Sequence, residues 1–104
     1  MNQGGWVYIM TNYNRNVLYI GVTSDIVNRI VQHKKGYYDG FTKRYKCFYL
    51  IYYKEFDSIE NAIAYEKRLK RWHREWKVNL IKKMNPGMND LSMEFLSARE
   101  IRRC

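Results

Sequence analysis

Residues able to do chemistry fall into a few groups. Over the segment from Asp57 to about Trp76, read at 100° per residue, Ile59, Ala62, Ile63, Glu66 and Leu69 share one stripe, with Glu66 near its middle. A carboxylate on an apolar stripe is costly unless it is paired or ligated. Two readings stay open: an i,i+4 ion pair with Lys70, or a ligand for a hard divalent cation. Arg29 and His33 are also spaced i,i+4, at one edge of the stripe formed by Ile26, Val27, Ile30 and Val31. Such a pair can hold a phosphate bidentately and donate a hydrogen bond or a proton to it, or it can be a solvated helix flank. Tyr8 and Tyr19 lie on consecutive strand-like runs, where tyrosines commonly serve as cross-strand packing.

Cations surround these residues. Lys67, Arg68, Arg71 and Arg74 project away from the Glu66 stripe, and Lys77 continues the charge. Lys34, Lys35, Lys43, Arg44 and Lys46 form a second group, interleaved with Tyr37, Tyr38, Phe41 and Tyr45. Basic residues among aromatics suit phosphates and stacked bases; the alternative for the Lys67–Lys77 run is a solvated helix face. Trp72 and Trp76 are expected in core or helix–helix packing.

The elements that must position these groups follow from the pattern. Trp6–Met10 and Val17–Val22 read as two strands joined by the Asn12–Asn16 turn. Thr23-Ser24-Asp25 supplies caps for a helix from about Asp25 to Lys35, ended by Gly36. Residues 37–46 lack a period and are expected to form a loop, and Cys47–Tyr53 a third, buried strand. Asp57 is the expected cap of a helix running to about Trp76, with a break near His73-Arg74. A further helix runs from Trp76 to Met84 and stops at Asn85-Pro86-Gly87. The β-β-α-β-α-α order implies an α/β (α+β) domain, a three-stranded, mainly antiparallel sheet flanked by helices. It is expected over residues 1–91, with 92–104 a tail that is a short helix or frayed.

Composition narrows the class. At 104 residues, 46% hydrophobic and 16% aromatic, the chain is one globular domain and not a disordered one. No apolar run approaches the roughly 18 residues of a membrane span, and no secretory signal is visible. Cys47 and Cys104 have no zinc-ligand or disulfide-framework spacing, so a reducing, cytoplasmic setting is expected. Nineteen Lys+Arg against ten Asp+Glu give a net charge of +9, which points to a polyanionic partner, nucleic acid before membrane.

Taken in order, Val7-Tyr8, Leu18-Tyr19-Ile20-Gly21-Val22-Thr23-Ser24-Asp25, Arg29, His33, Glu60-Asn61-Ala62-Ile63-Ala64-Tyr65-Glu66-Lys67-Arg68-Leu69-Lys70 and Asn85-Pro86…Asp90-Leu91 resemble the small single-domain bacterial branch of the GIY-YIG nuclease superfamily. The resemblance covers about residues 5–91. It implies that Tyr8 and Tyr19 line an active site, one of them helping to activate the attacking water. Gly21 would give a tight exit from the second strand. Arg29 would neutralise charge building on the phosphate, and His33 would hydrogen-bond or transfer a proton. Glu66 would hold one Mg²⁺ or Mn²⁺. Trp6 stands where the first motif carries glycine, with Gly5 one residue earlier. The family's late asparagine is placed at Asn89 in preference to Asn85 or Asn79.

The activity so implied is metal-dependent endonucleolytic hydrolysis of phosphodiester bonds, on DNA rather than RNA. The chain has no room for a separate DNA-reading module. Low sequence specificity or a structure preference is therefore expected, with a role in repair or recombination. The rival function is a non-catalytic nucleic-acid-binding module on the same fold.

Overall fold

The computed structural model describes residues 4–36 and 40–96. Its centre is a three-stranded antiparallel sheet in the order β2-β1-β3, with β1 at Gly5–Thr11, β2 at Leu18–Thr23 and β3 at Tyr49–Phe56. Alternation along β1 divides the core in two. Val7 and Ile9 point to one face, where they pack with Ile20, Ile51, Ala62, Leu69 and Ile81. Tyr8 and Met10 point to the other, with Ile26, Ile30, Cys47, Leu50 and Leu96.

Helix α1 (Ile26–Lys35) covers the Tyr8 face. Asp25 caps it by accepting a bond from the Asn28 amide, and Gly36 ends it in the left-handed conformation, φ 73°. Helices α3 (Ile59–Lys70) and α4 (Arg74–Met84) cover the Val7 face through Ala62, Leu69 and Ile81. Burying an aliphatic side chain of this size stabilises by roughly 1.5–3 kcal/mol, so these contacts fix α3 against the sheet.

Several elements differ from the sequence expectation. Within the stretch expected to be loop, Gly40–Tyr45 forms the short helix α2. Only Thr42 is buried on it, so it carries no apolar period to detect. The third strand starts at Tyr49 and runs on to Phe56. The cap of α3 is Ser58, not Asp57, because the Ser58 hydroxyl accepts from the Asn61 amide three residues on. That helix stops at Lys70, short of Trp76, as Arg71 and Trp72 tighten onto the carbonyls of Arg68 and Leu69, and α4 starts at Arg74, two residues before the expected Trp76. Ile63, assigned to the apolar stripe, is 37% exposed; Tyr65 packs on the core instead. Trp72 packs against that core, whereas Trp76 meets it edge-on and is 51% exposed.

Residues just beyond Leu91 dock on the Tyr8 face. Ser92–Glu94 make one 3-10 turn, Phe95 stacks edge-on against Trp6 and Tyr53, and Leu96 is buried. The expected helix or fray over 97–104, like Tyr37 and Tyr38, lies outside the described residues.

Candidate active site

The Tyr8 ring sits directly over β2. Tyr8 pairs with Gly21 in the sheet, and a Cβ at Gly21 would lie 2.4 Å from both Cζ and the hydroxyl oxygen of Tyr8. Gly21 is therefore required in mid-strand, by the close approach of an aromatic ring, and not by a tight exit toward the helix. The Tyr8 hydroxyl lies 3.1 Å from Nε2 of His33, and Nη1 of Arg29 donates to it at 3.2 Å. A guanidinium can only donate, so the tyrosine oxygen accepts from Arg29 and can direct its own proton to an unprotonated Nε2.

Arg29 is held at two more points by groups nearby. Its Nη1 also donates to the Val22 carbonyl at 3.3 Å, and its Nε to Oε1 of Gln32 at 3.2 Å. Tyr19 lies diagonally across the β1–β2 pair, opposite Met10, with its ring centroid 6.3 Å from that of Tyr8 and 5.5 Å from the His33 ring. Tyr8, Tyr19, Arg29 and His33 thus form one cluster on the α1 face. His33 is fully buried in it, which excludes the solvated-flank reading. Tyr8 is buried as well, so it supports the site from beneath.

Tyr19 is the member that reaches an opening. A cavity of about 320 Å³ is lined by Leu18, Tyr19 and Ile20 of β2, Phe41 of α2, Lys70 of α3 and Lys77 of α4. Because β2 is an edge strand, this cavity wraps around the end of the sheet and joins its two faces. Val22, whose carbonyl holds Arg29, is two residues from Ile20, about 7 Å along the same strand.

Glu66 belongs to the opposite face, on α3. Its side chain is only 13% exposed, and Oε2 lies 3.1 Å from Nζ of Lys70, so the i,i+4 pair foreseen as one alternative is formed. The carboxylate thus adjoins the cavity through Lys70, and among the described residues its ion pair runs to Lys70 and not to Arg29 or His33. Among the described residues no three His, Cys, Asp or Glu side chains group as a metal cage. The donor chemistry still fits a mostly hydrated hard cation, which is held through one or two carboxylates plus phosphate oxygens.

The asparagine positions separate clearly. Asn85 is buried, donating to the carbonyls of Ile51 (3.1 Å) and Asn89 (2.8 Å) and accepting from the Asn89 amide at 3.1 Å. It locks the Pro86-Gly87-Met88 turn to β3. Asn89, the expected site residue, is exposed, and among the described residues its hydrogen bonds run to Asn85 and not to the tyrosine cluster. Asn79 lies exposed on α4.

Of the cations, Lys34 is committed elsewhere: it bonds Asp90 at 2.5 Å and lies over the Tyr49 ring. Burial pushes the Asp90 carboxyl up, but hydrogen bonds from Lys34 and Ser92 outweigh that and hold it below the usual range. Lys35, Lys43 and Arg44 are exposed, with Arg44 over the Tyr45 ring. Lys67, Arg68 and Arg71 line a second hollow of about 500 Å³ with Ala64 and Trp72. Arg74 donates to the Asn16 carbonyl at 2.7 Å, tying α4 to the first turn. Phe41 and Lys77, read from the sequence as parts of two separate basic and aromatic patches, stand together as walls of one cavity with Tyr19. The Val22 carbonyl as an anchor for Arg29 was missed, because a backbone group leaves no side-chain signal.

The sequence model of the GIY-YIG catalytic domain matches residues 4–79. A UPF0213 protein of Pediococcus pentosaceus is 30% identical over 87 residues, covering 84% of this chain and 92% of the relative. A UPF0213 protein of Staphylococcus saprophyticus is 34% identical over 64 residues, 62% of this chain and 78% of the relative. No solved structure matches the chain.

Proposed function

This chain belongs to the GIY-YIG catalytic-domain family, and from that premise we propose that it is an endonuclease hydrolysing phosphodiester bonds of DNA with one Mg²⁺ or Mn²⁺. The family makes it a nuclease-type domain whose substrate is nucleic acid. The metal requirement, the choice of DNA, low sequence specificity or preference for a branched or damaged structure, a part in repair or recombination, and cytoplasmic residence are our reading. Among the described residues no helix is long and apolar enough to cross a membrane.

One observation carries the proposal: a buried tyrosine hydroxyl clamped between a guanidinium and an imidazole, beside a cavity faced by a second tyrosine. Packing alone does not require this arrangement, and burying a phenol and an imidazole beside a half-buried guanidinium is costly unless their geometry serves a purpose. In this reading Tyr19 orients the attacking water from the cavity wall. Tyr8 keeps Arg29 and His33 in register, its hydroxyl hydrogen-bonded to both. Arg29 adds positive charge where it develops on the phosphate. Glu66 is the residue that would hold the divalent cation, and Asn89 is the candidate for the family's late site asparagine. The bound cation would polarise the scissile phosphate. Lys35, Lys43, Arg44, Lys67, Arg68, Arg71 and Arg74 grip the backbone through charge.

A binding-only module is the competing reading, favoured by the pairing of Glu66 with Lys70. Cleavage of linear, single-stranded, flap and four-way DNA and of RNA, each with Mg²⁺ or Mn²⁺, separates the two. We expect cleavage by the wild type, its loss in Glu66→Ala, and a fall of about 10²–10³ in Arg29→Ala. Binding without cleavage at every metal concentration would favour the module.

A further inference from the structure

The Glu66–Lys70 pair is asymmetric in a way that an ordinary helix-surface pair is not. The carboxylate is nearly enclosed at 13% exposure, whereas its lysine is 54% exposed and forms part of the cavity wall. Lys77 lines the same cavity, and its ammonium donates to the Lys70 carbonyl at 3.2 Å. Two lysines therefore line one opening of about 320 Å³, and among the described residues no acidic side chain lines it. The opening is lined by two lysines, and the carboxylate paired with one of them is itself nearly enclosed.

We propose that Lys70 is a displaceable internal counter-ion of Glu66, released by the arriving phosphate. This rests on the reading of Glu66 as the metal-holding residue. With the cavity empty of anion, Lys70 stays on the carboxylate and a divalent cation must compete with it, against repulsion from Lys77. When a phosphodiester enters, it offers Lys70 a second anionic partner within reach of its flexible four-carbon stem. Lys70 turns toward that anion, and Oε2 of Glu66 becomes available. Metal and substrate thus help each other to bind, and by linkage the effect is the same in both directions. Free protein would hold metal weakly, and the assembled site would hold it well.

Direct metal binding tests this without reference to turnover. Mn²⁺ is titrated into wild type, Lys70→Gln, Lys70→Arg and Glu66→Gln, with free Mn²⁺ read by its electron paramagnetic resonance signal. Each titration is run with and without dithymidine phosphorothioate, and circular dichroism verifies the fold of each variant. Removing a half-exposed pair is expected to tighten Mn²⁺ binding by about three- to fivefold in Lys70→Gln without the dinucleotide. The enhancement by the dinucleotide should shrink in that variant, and Lys70→Arg should behave like wild type. Equal or weaker binding by Lys70→Gln, with Glu66→Gln still abolishing the site, overturns the role of Lys70 alone. Mn²⁺ binding that ignores Glu66→Gln in every background overturns the metal assignment on which the proposal stands.

Discussion

Gly21→Ala is the smallest change that should damage both stability and the candidate site. The added Cβ would stand 2.4 Å from the Cζ and hydroxyl oxygen of Tyr8 and 2.8 Å from Cε1, a full ångström short of ordinary contact at 3.4 Å. Tyr8 cannot yield cheaply, since it is fully buried and held by His33 at 3.1 Å and Arg29 at 3.2 Å. Overpacking of this kind costs about 1–3 kcal/mol, and retreat of the ring by an ångström would add the loss of two hydrogen bonds at about 0.5–1.5 kcal/mol each. We therefore expect roughly 2–6 kcal/mol of destabilisation, measured as a lower urea midpoint at unchanged slope. Tyr8→Leu removes the atoms that clash. On that background Gly21→Ala should cost nothing, or gain up to about 1 kcal/mol from the lower chain entropy of alanine. Additivity of the two substitutions within about 0.5 kcal/mol would refute the close-approach account of Gly21.

Three further outcomes follow from the contacts described above. The Asp90 carboxyl is held below its usual range in the folded protein, so its stabilising contribution is complete above the ordinary aspartate value of about 3.9 and is lost as pH falls through the lower folded value. The stability gap between wild type and Asp90→Asn should shrink between about pH 5 and pH 2 in urea titrations; a constant gap contradicts the clamp. Cys47 is fully buried, and burial pushes its thiol up to about 11. In a Cys104→Ser background at about pH 8, it should resist a thiol reagent until urea unfolds the chain, and prompt labelling of folded protein would contradict the packing. Ser58→Ala should cost about 0.5–2 kcal/mol and Asp57→Ala much less, because Ser58 makes the capping bond; equal costs would return the cap to Asp57.

The sheet and the helices on its two faces were legible because their signals are local. Alternation in β1, the Asn-rich turn, the Asp25 cap and Gly36 each act within a few residues. What was not legible arose from encounters between distant parts of the chain. The six-residue α2 buries one threonine and so leaves no period. Whether Asp57 or Ser58 caps α3 depends on which oxygen meets an amide three residues along. That Tyr8 would be buried and Tyr19 would face the cavity depends on the register that sets Tyr8 opposite Gly21 and Met10 opposite Tyr19. Lys34 looked like one more surface cation, and only the return of the chain at Asp90 occupies it. The pairing of Glu66 with Lys70 was visible in the spacing, but the cavity beside it was not.

The position of β2 at the sheet edge explains why the candidate site could assemble at all. Side chains on opposite faces of a sheet are separated by its backbone, so Tyr19 on the α1 side and Lys70 with Glu66 on the α3 side could not share a cavity in mid-sheet. At an edge strand the faces meet around the rim, and the cavity lies where Leu18, Tyr19 and Ile20 turn that corner. An open edge also leaves outward carbonyl and amide groups that invite pairing with another chain. Here the Val22 carbonyl is occupied by Arg29, while Phe41, Lys70 and Lys77 stand along the same rim. Two of the groups along this edge, Arg29 and Lys70, are therefore also groups proposed to meet the phosphate. Arg29→Met should accordingly show two separable effects: loss of cleavage, and greater self-association on gel filtration as the rim opens. Loss of cleavage by a strictly monomeric variant would assign Arg29 to the chemistry alone.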